Sequence, residues 1–284
     1  MPHENIFNKL TSEYYQLTSS EKKVADYVVT NSQNAQIMSI SELAEACSVA
    51  EATISRFCRR MGYSGYGAFK LAIATSSVGR VPANPLSGEV TEDDPIPDLA
   101  KKLASASVEA IMETEALVDP QAIKSAADAL LEADKVICMG EGGSMILAQE
   151  AAHLFSTAFS GFFPVSDSHM QVITASQLSS RDVILYFSYS GSTTGLVDVS
   201  TVAKNNGTKL ILVTRFPKSP GASMAYIVLQ CGSTESPLQL GSIPARVAQL
   251  YIIDVVFSEV CRRDLEGCKQ RRSQVADALA EKHI

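Results

Sequence analysis

Hydroxyl side chains crowd around one glycine in the stretch Ser188-Tyr189-Ser190-Gly191-Ser192-Thr193-Thr194. Hydroxyls and free backbone N–H groups both donate hydrogen bonds to anionic oxygens, and a glycine lets the backbone approach a ligand closely. The flanking residues say where these donors sit. Val183 to Phe187 is a β-branched and aromatic run without polar alternation, which reads as a strand buried on both faces. Leu196, Val197, Val199 and Val202 then recur at helical spacing. Strand, turn and helix in that order place the donors at a helix N-terminus, which favours a phosphate. The plain alternative is an ordinary strand-to-helix turn with a Ser or Thr cap. The density of hydroxyls around Gly191 favours the anion site.

A second turn of this type, Gly140-Glu141-Gly142-Gly143-Ser144, follows the apolar run Val136 to Met139. It departs from the dinucleotide fingerprint, which needs glycine where Met145 stands. No acidic residue closes the next apolar segment either; Asp167 lies beyond it. No nucleotide cofactor is therefore expected, and Ser144 is expected to face the same phosphate as Ser188 and Ser190. The cysteines at 47, 58, 138, 231, 261 and 268 form no Cys-x-x-Cys pair and read as buried thiols of a reducing compartment. The histidines lie far apart and show no zinc-ligand spacing, so no metal is expected.

The elements that must hold these turns alternate along the chain. Strands are expected at 136–139, 162–165, 183–187, 210–214 and 226–229. Helices are expected from the Gly140 turn to about 160, over 170–177, and over 243–260, with a polar, mixed-charge tail after them. Alternation of this kind implies an α/β fold, a parallel sheet covered on both faces, with ligands at the carboxyl ends of its strands. Helices over 99–117 and 121–131 precede it. Gly79, Pro82, Pro85, Gly88, Pro95 and Pro97, with the acidic Glu92-Asp93-Asp94, mark 76–97 as a linker.

The N-terminal part reads as all-helical. Residues 5–30 hold a helix and its approach, with a capping signal in Leu17-Thr-Ser-Ser-Glu21 and an apolar stripe of Val24, Ala25, Val28 and Val29. A short helix spans Ser39 to Ala46, and a third runs from about Ala50 to Met61, stopped by Gly62. In that third helix Ile54, Phe57, Cys58 and Met61 form the buried face. Ala52, Ser55, Arg56 and Arg59 line the opposite face, with Glu51 and Arg60 beside them. Two short helices joined by a tight turn, with small and basic residues outward, have helix-turn-helix geometry, and Thr53, Ser55, Arg56 and Arg59 would reach bases or phosphates. A solvated charged face on a small bundle explains the same pattern. Further on, Tyr63, Ser64, Tyr66 and Lys70 are candidates for phosphate contact, and Phe69 for the core.

Composition limits the classes. The chain has 284 residues, 46% hydrophobic and 19% charged, which is globular and long enough for two domains. No apolar run has the length of a membrane span, and the N-terminus lacks a secretory pattern, so a cytoplasmic location is expected. The net charge of −7 is uneven: residues 1–80 hold 8 Lys/Arg against 7 Asp/Glu, the remainder 16 against 24. Nucleic-acid binding must then come from local clustering, not a bulk positive field.

These residues resemble a known family. Gly140-x-Gly-x-Ser144 and Ser188-x-Ser-Gly-x-Thr193 resemble the sugar isomerase (SIS) domain, a phosphosugar-binding fold. Leu17-Thr-x-x-Glu21, Ala25-x-Tyr27, Leu43-Ala44, Ala52-Thr-Ile-x-Arg-Phe57, Gly62-Tyr-x-Gly65 and Phe69-Lys70 resemble the DNA-binding domain of RpiR-family regulators, which fuse it to an SIS domain. The resemblance implies a helix-turn-helix domain over 1–77, a linker over 78–97, and a three-layer SIS domain with a five-stranded parallel sheet over 98–284. It implies a transcriptional regulator of carbohydrate-metabolism genes, without enzymatic activity. Its partners would be a double-stranded DNA operator, a sugar-phosphate effector and a second copy of itself, as a homodimer or higher oligomer. The effector phosphate falls to Ser144, Ser188, Ser190, Gly191 and Thr193. The pocket falls to Gly140, Gly142, His169, Tyr189 and Ser192, although His169 alone would read as a surface-loop histidine. DNA contact falls to Glu51, Ala52, Thr53, Ser55, Arg56, Arg59, Arg60 and Lys70. Arg246, in a family motif, is expected to pack or pair structurally. Two positions depart from the family pattern: Ala50, where serine commonly caps the recognition helix, and Tyr189, where a smaller or polar residue is usual.

A phosphosugar isomerase or lyase with an accessory helical domain is the rival reading. Its base would be Glu141, Glu150, His169 or Glu235, none singled out by spacing. A sugar-phosphate sensor that meets only proteins is a third. The basic face of helix 50–61 has no use in the isomerase reading.

Overall fold

The computed structural model describes residues 5–77, 90–233 and 242–280. The linker residues Gly79, Pro82, Pro85 and Gly88, and the candidate base Glu235, lie outside the described residues. Two compact units divide the chain between Ala106 and Ser107.

The first unit opens with α1 (Ile6–Glu13), a 3-10 turn (Tyr14–Gln16), α2 (Ser19–Thr30), α3 (Ser32–Ala35), α4 (Ile40–Ala46), α5 (Glu51–Arg60) and α6 (Tyr66–Ser77). Residues 5–30 thus hold two helices, not one with its approach. Thr18 and Ser39 each accept from the backbone three residues on, and Glu21 and Glu42 reach back, so both α2 and α4 start in complete capping boxes. Ile6, Val24, Leu43, Ile54, Phe57 and Phe69 are fully buried, with the Phe57 and Phe69 rings edge to face at 5.6 Å. Val29 is 44% exposed, so the α2 stripe is narrower than its sequence suggests.

The tight connection between α4 and α5 rests on Ser48, whose φ of 52° is the left-handed conformation more usual for glycine. Val49 N–H donates to the Ala44 carbonyl and Ser48 N–H to that of Glu45, which closes the end of α4. Helix α5 begins after Ala50 with no side-chain cap. Glu51 supplies an acidic group to its first turn instead, and the Ser41 hydroxyl donates to that carboxylate.

Helix α7 (Ile96–Leu117) begins at Ile96 rather than Leu99, and the division between units falls within it. The end of the linker is tied to it. Asp94 accepts from Thr91 N–H at 2.9 Å and from Lys102 Nζ at 2.8 Å. The Lys102 ammonium, first among its partners, holds the Asp94 carboxyl near a pKa of about 2.

The second unit continues with α8 (Pro120–Glu132), β1 (Val136–Gly140), α9 (Gly143–Ser156), β2 (Phe162–Pro164), α10 (Ser168–Gln177), β3 (Val183–Phe187), α11 (Thr194–Asn206), β4 (Lys209–Thr214), β5 (Ile227–Gln230), α12 (Ile243–Arg263) and α13 (Leu265–Ala280). The strands form one parallel sheet in the order β2-β1-β3-β4-β5. Every residue of β1 and β3 is buried, as the unbroken apolar runs required. Val136, Cys138, Val183, Leu185 and Phe187 face α8, α9 and α12. Ile137, Met139, Ile184 and Tyr186 face α10 and α11. This gives the three-layer α/β/α arrangement. The expected polar tail is instead helix α13, of which Cys268 is the buried residue.

Candidate functional site

The sheet order reverses direction beside β1: β2 lies on one side and β3 on the other. Crevices at such switch points, at the carboxyl ends of strands, hold ligands in open α/β sheets. Here the register pairs Gly140 with Phe187, so the loop after β1 and the loop after β3 emerge side by side. A side chain on Gly140 would press on the Ser144 carbonyl at 2.8 Å and the Phe187 carbonyl at 3.1 Å, so only glycine lets the two loops meet.

The turn after β3 is braced from within. Gly191 has φ +60° and donates to the Ser188 hydroxyl at 3.2 Å; Ser188 is itself buried. Ser190 Oγ accepts from Ser192 N–H at 3.3 Å, and the exposed Ser192 donates its hydroxyl to the Ser190 carbonyl at 3.1 Å. Thr193 caps α11 by position, yet its side chain makes no capping bond. Its buried Oγ1 forms no well-aligned hydrogen bond and lies by the Tyr186 hydroxyl. Burial is the main reason the Tyr186 phenol is raised above its ordinary range, with Glu141 next. That phenol donates to Gln171 Oε1 at 3.4 Å.

Several residues around the turn were not recognisable by composition. Gly221 N–H donates to the Gly191 carbonyl at 2.9 Å, and the Ser219 side chain fills the space beside Gly191. Thr214 Oγ1 donates to the Tyr189 carbonyl at 3.1 Å. The buried Gln171 donates to the carbonyls of Gly140 at 2.8 Å and Val165 at 2.9 Å, fixing the end of β1. Its place in Asp167-x-His-x-Gln171 was the available signal.

The turn after β1 begins with Gly142 at φ +54° and places Ser144, half-buried, in the first turn of α9. His169 lies in the first turn of α10, beyond the carboxyl end of β2, and is exposed. The Tyr189 hydroxyl donates to the Ser233 carbonyl at 3.0 Å, and its ring meets Phe216 edge to face. The Glu141 carboxylate lies against Gly195 at the start of α11. Glu150 is exposed, 3.9 Å from His153. Among the described residues no group of three His, Cys, Asp or Glu side chains is placed to hold a metal.

In the first unit, Ile54, Phe57, Cys58 and Met61 are buried as periodicity required. Glu51, Ala52, Arg56 and Arg59 are exposed, and Thr53 and Ser55 half-buried. Arg56 donates to the Thr53 hydroxyl at 3.3 Å, leaving most of its fork outward. Two of the expected DNA contacts, Arg60 and Lys70, also have partners within the unit. Arg60 pairs with Glu21 at 2.8 Å and donates to the Gln16 carbonyl. Lys70 donates to the Met38 carbonyl at 2.9 Å, as does the Tyr66 hydroxyl at 3.0 Å. Desolvation raises the buried Tyr66 phenol well above its ordinary value. Among the described residues no helix is long and apolar enough to cross a membrane.

Comparison with known proteins agrees on both units. Residues 4–78 match the model of the helix-turn-helix domain of the rpiR family, and residues 129–259 match that of the SIS domain. An HTH-type transcriptional regulator of Caldanaerobacter subterraneus subsp. tengcongensis is 32% identical over 98% of this chain and 97% of its own length. The HTH-type transcriptional regulator HexR of Pseudomonas aeruginosa is 31% identical over 92% of this chain and 90% of its own. The structure of Vibrio vulnificus NanR complexed with ManNAc-6P shares the fold, with a TM-score of 0.88 over 98% of this chain and 99% of that one, at 24% identity.

Proposed function

The chain belongs to the RpiR family of helix-turn-helix transcriptional regulators, and from that membership we propose that a phosphorylated sugar bound in its SIS domain sets its affinity for a double-stranded DNA operator. That it regulates transcription, and is not an isomerase, follows from relatives that are named regulators. The effector is the proposal. The observation that carries it is the meeting of two Gly/Ser turns, one holding Ser144 and the other Ser188 to Thr193, where β1 and β3 end together. Hydroxyls, a helix start and glycine-permitted close approach suit a phosphate ester, and the NanR structure of the same fold carries ManNAc-6P.

In this reading Ser144, Ser188, Ser190, Gly191 and Thr193 surround the phosphate, with Gly140, Gly142, His169 and Ser192 nearby. Thr53, Ser55, Arg56 and Arg59 of α5 meet the operator, with Ala52 and Glu51 at the helix start. Residues 1–77 form the DNA-binding domain, 78–97 the linker and 98–284 the effector domain. The protein acts as a homodimer in the cytoplasm, since two half-sites read together compensate for few basic contacts. A thermal-shift screen against hexose, hexosamine and pentose phosphates tests the effector. A ligand at 100 times its dissociation constant stabilises by about 2.7 kcal/mol. No shift with any sugar phosphate contradicts the proposal.

A further inference from the structure

Ser233 holds a left-handed backbone, with φ 69°, although it carries a side chain. Residues other than glycine keep that conformation where their surroundings impose it, and such positions collect at functional and switching sites. Three side chains impose it here. The Ser233 carbonyl accepts from the Tyr189 hydroxyl at 3.0 Å and from Arg215 Nε at 3.2 Å. The Ser233 N–H donates to Glu113 Oε2 at 2.7 Å. The residue is buried, so the loss of any of these partners is costly.

The partners come from three parts of the second unit. Tyr189 lies within the turn after β3, between Ser188 and Ser190, and its own carbonyl accepts from Arg215 N–H and Thr214 Oγ1 at 3.1 Å each. Arg215 follows β4, and Ser233 follows β5. Glu113 belongs to α7. That helix is pressed onto the preceding residue as well: a Cβ on Gly232 would lie 2.6 Å from Glu113 Cβ, and Gly232 N–H donates to Thr114 Oγ1 at 3.0 Å. All these residues fall within the second unit, whereas α7 begins in the first. The turn after β3 is thus joined by directional bonds, two of them to charged groups, to the one helix that spans the division between the units.

We infer that Ser233 relays effector binding to α7. A phosphate ester that orders the turn after β3 shifts Tyr189, the Tyr189 hydroxyl shifts the Ser233 carbonyl, and the Ser233 N–H carries the change to Glu113. The element with two arrangements is Ser233 itself, left-handed while both its polar groups are held and free to leave that conformation when either is released. Glu113 is a positioning residue and touches neither ligand. The inference rests on the sugar-phosphate reading of the turn. It goes further in naming the side chains through which occupancy of the turn reaches the helix leading to the DNA-binding domain.

The test uses the full-length protein, Glu113→Ala, Glu113→Gln and Tyr189→Phe. Its ligands are the sugar phosphate that gives the wild type its largest thermal shift and a duplex selected by the wild type from random DNA. Without ligand, the Ser233 amide should exchange its hydrogen about fivefold faster or more in Glu113→Ala, with Glu113→Gln, which keeps an oxygen acceptor, in between. Glu113→Ala should bind the sugar phosphate alone, and the duplex alone, within about twofold of the wild type. The factor by which sugar phosphate changes its duplex affinity should fall by about threefold or more, and Glu113→Gln should keep most of that factor. Tyr189→Phe should lose the factor as Glu113→Ala does, and it carries the test if Glu113→Ala does not fold. Variants that merely melt earlier, with the factor unchanged, overturn the inference. So does wild-type exchange at Ser233 in Glu113→Ala. If no sugar phosphate binds the wild type, or a bound one leaves its duplex affinity unchanged, the reading of the turn as a control site falls and the relay falls with it. If the wild type responds and the variants respond equally, the relay alone falls.

Discussion

Gly191 and Ser219 are so close that the missing side chain of the glycine is the condition for their contact: a Cβ at 191 would overlap the Ser219 hydroxyl. The same glycine holds φ at +60°, donates to Ser188 Oγ and accepts from Gly221 N–H. A left-handed backbone and close packing therefore both require glycine at this position of the turn after β3.

Gly191→Ala should destabilise the protein by about 1–3 kcal/mol, from the left-handed conformation and the displaced loop. Urea unfolding followed by circular dichroism measures the change. Wild-type stability in this variant would mean that the turn is not built as described.

Arg56 and Arg60 stand four residues apart on α5 and should behave oppositely. Arg60→Ala removes the pair with Glu21 and a bond to the Gln16 carbonyl, and should lower stability by about 1 kcal/mol. Arg56→Ala should leave stability within about 0.5 kcal/mol and weaken operator binding by about 1–3 kcal/mol if it reads a base. Melting curves and anisotropy at fixed salt separate the two; equal effects on both readouts would contradict the assignment.

The Glu21 carboxyl gives the helical unit a pH dependence. Burial pushes its pKa up, but the Thr18 N–H and hydroxyl, then Arg60, bring it below the ordinary 4.5. A carboxyl lowered in the folded state contributes stability that is fully present above the ordinary value and lost as pH falls through the folded one. Acid titration of helicity should thus show a loss beginning near pH 4.5 and continuing below it, reduced in Glu21→Gln. An identical acid profile for the variant would exclude this carboxyl as a contributor.

The parts of the fold that were legible in the sequence are those where one simple period decides. Val183–Phe187 is a strand over the residues read from its apolar run, because a strand buried on both faces tolerates no polar interruption. Ile54, Phe57, Cys58 and Met61 are buried because the α5 stripe is unambiguous. Periodicity fails where a partner lies far away in sequence. Arg60 looks like its neighbour Arg59 until Glu21, from α2, is found beside it. Helix α13 looks like a tail because its residues are mostly exposed and carry charges of both signs, with Cys268 its buried contact. Tyr189 lies between Ser188 and Ser190 in sequence, but the partners of its side chain, the Ser233 carbonyl and the Phe216 ring, come from later in the chain.

Thr114 of α7 joins that helix to the strand layer. Its buried hydroxyl donates to the Ala110 carbonyl at 2.6 Å and accepts from Gly232 N–H at 3.0 Å. Thr114→Val keeps the shape but leaves the Gly232 N–H unpaired, and should cost about 1–3 kcal/mol, whereas Thr114→Ser should cost less. Chemical denaturation of both variants checks the order; equal stability would show that the bond contributes nothing.

The proposed regulation is a coupling between two ligands, and linkage makes it reciprocal: the factor by which the sugar phosphate changes operator affinity equals the factor by which the operator changes sugar-phosphate affinity. Operator binding should therefore be followed by anisotropy at fixed salt, with and without a saturating amount of the sugar phosphate giving the largest thermal shift. The wild type should show a change in operator affinity of about 1–3 kcal/mol. Ser190→Ala should keep the effector-free operator affinity and require more effector for the same change. If saturating sugar phosphate leaves the wild-type operator affinity unchanged, the proposed regulation is wrong, even though both ligands bind.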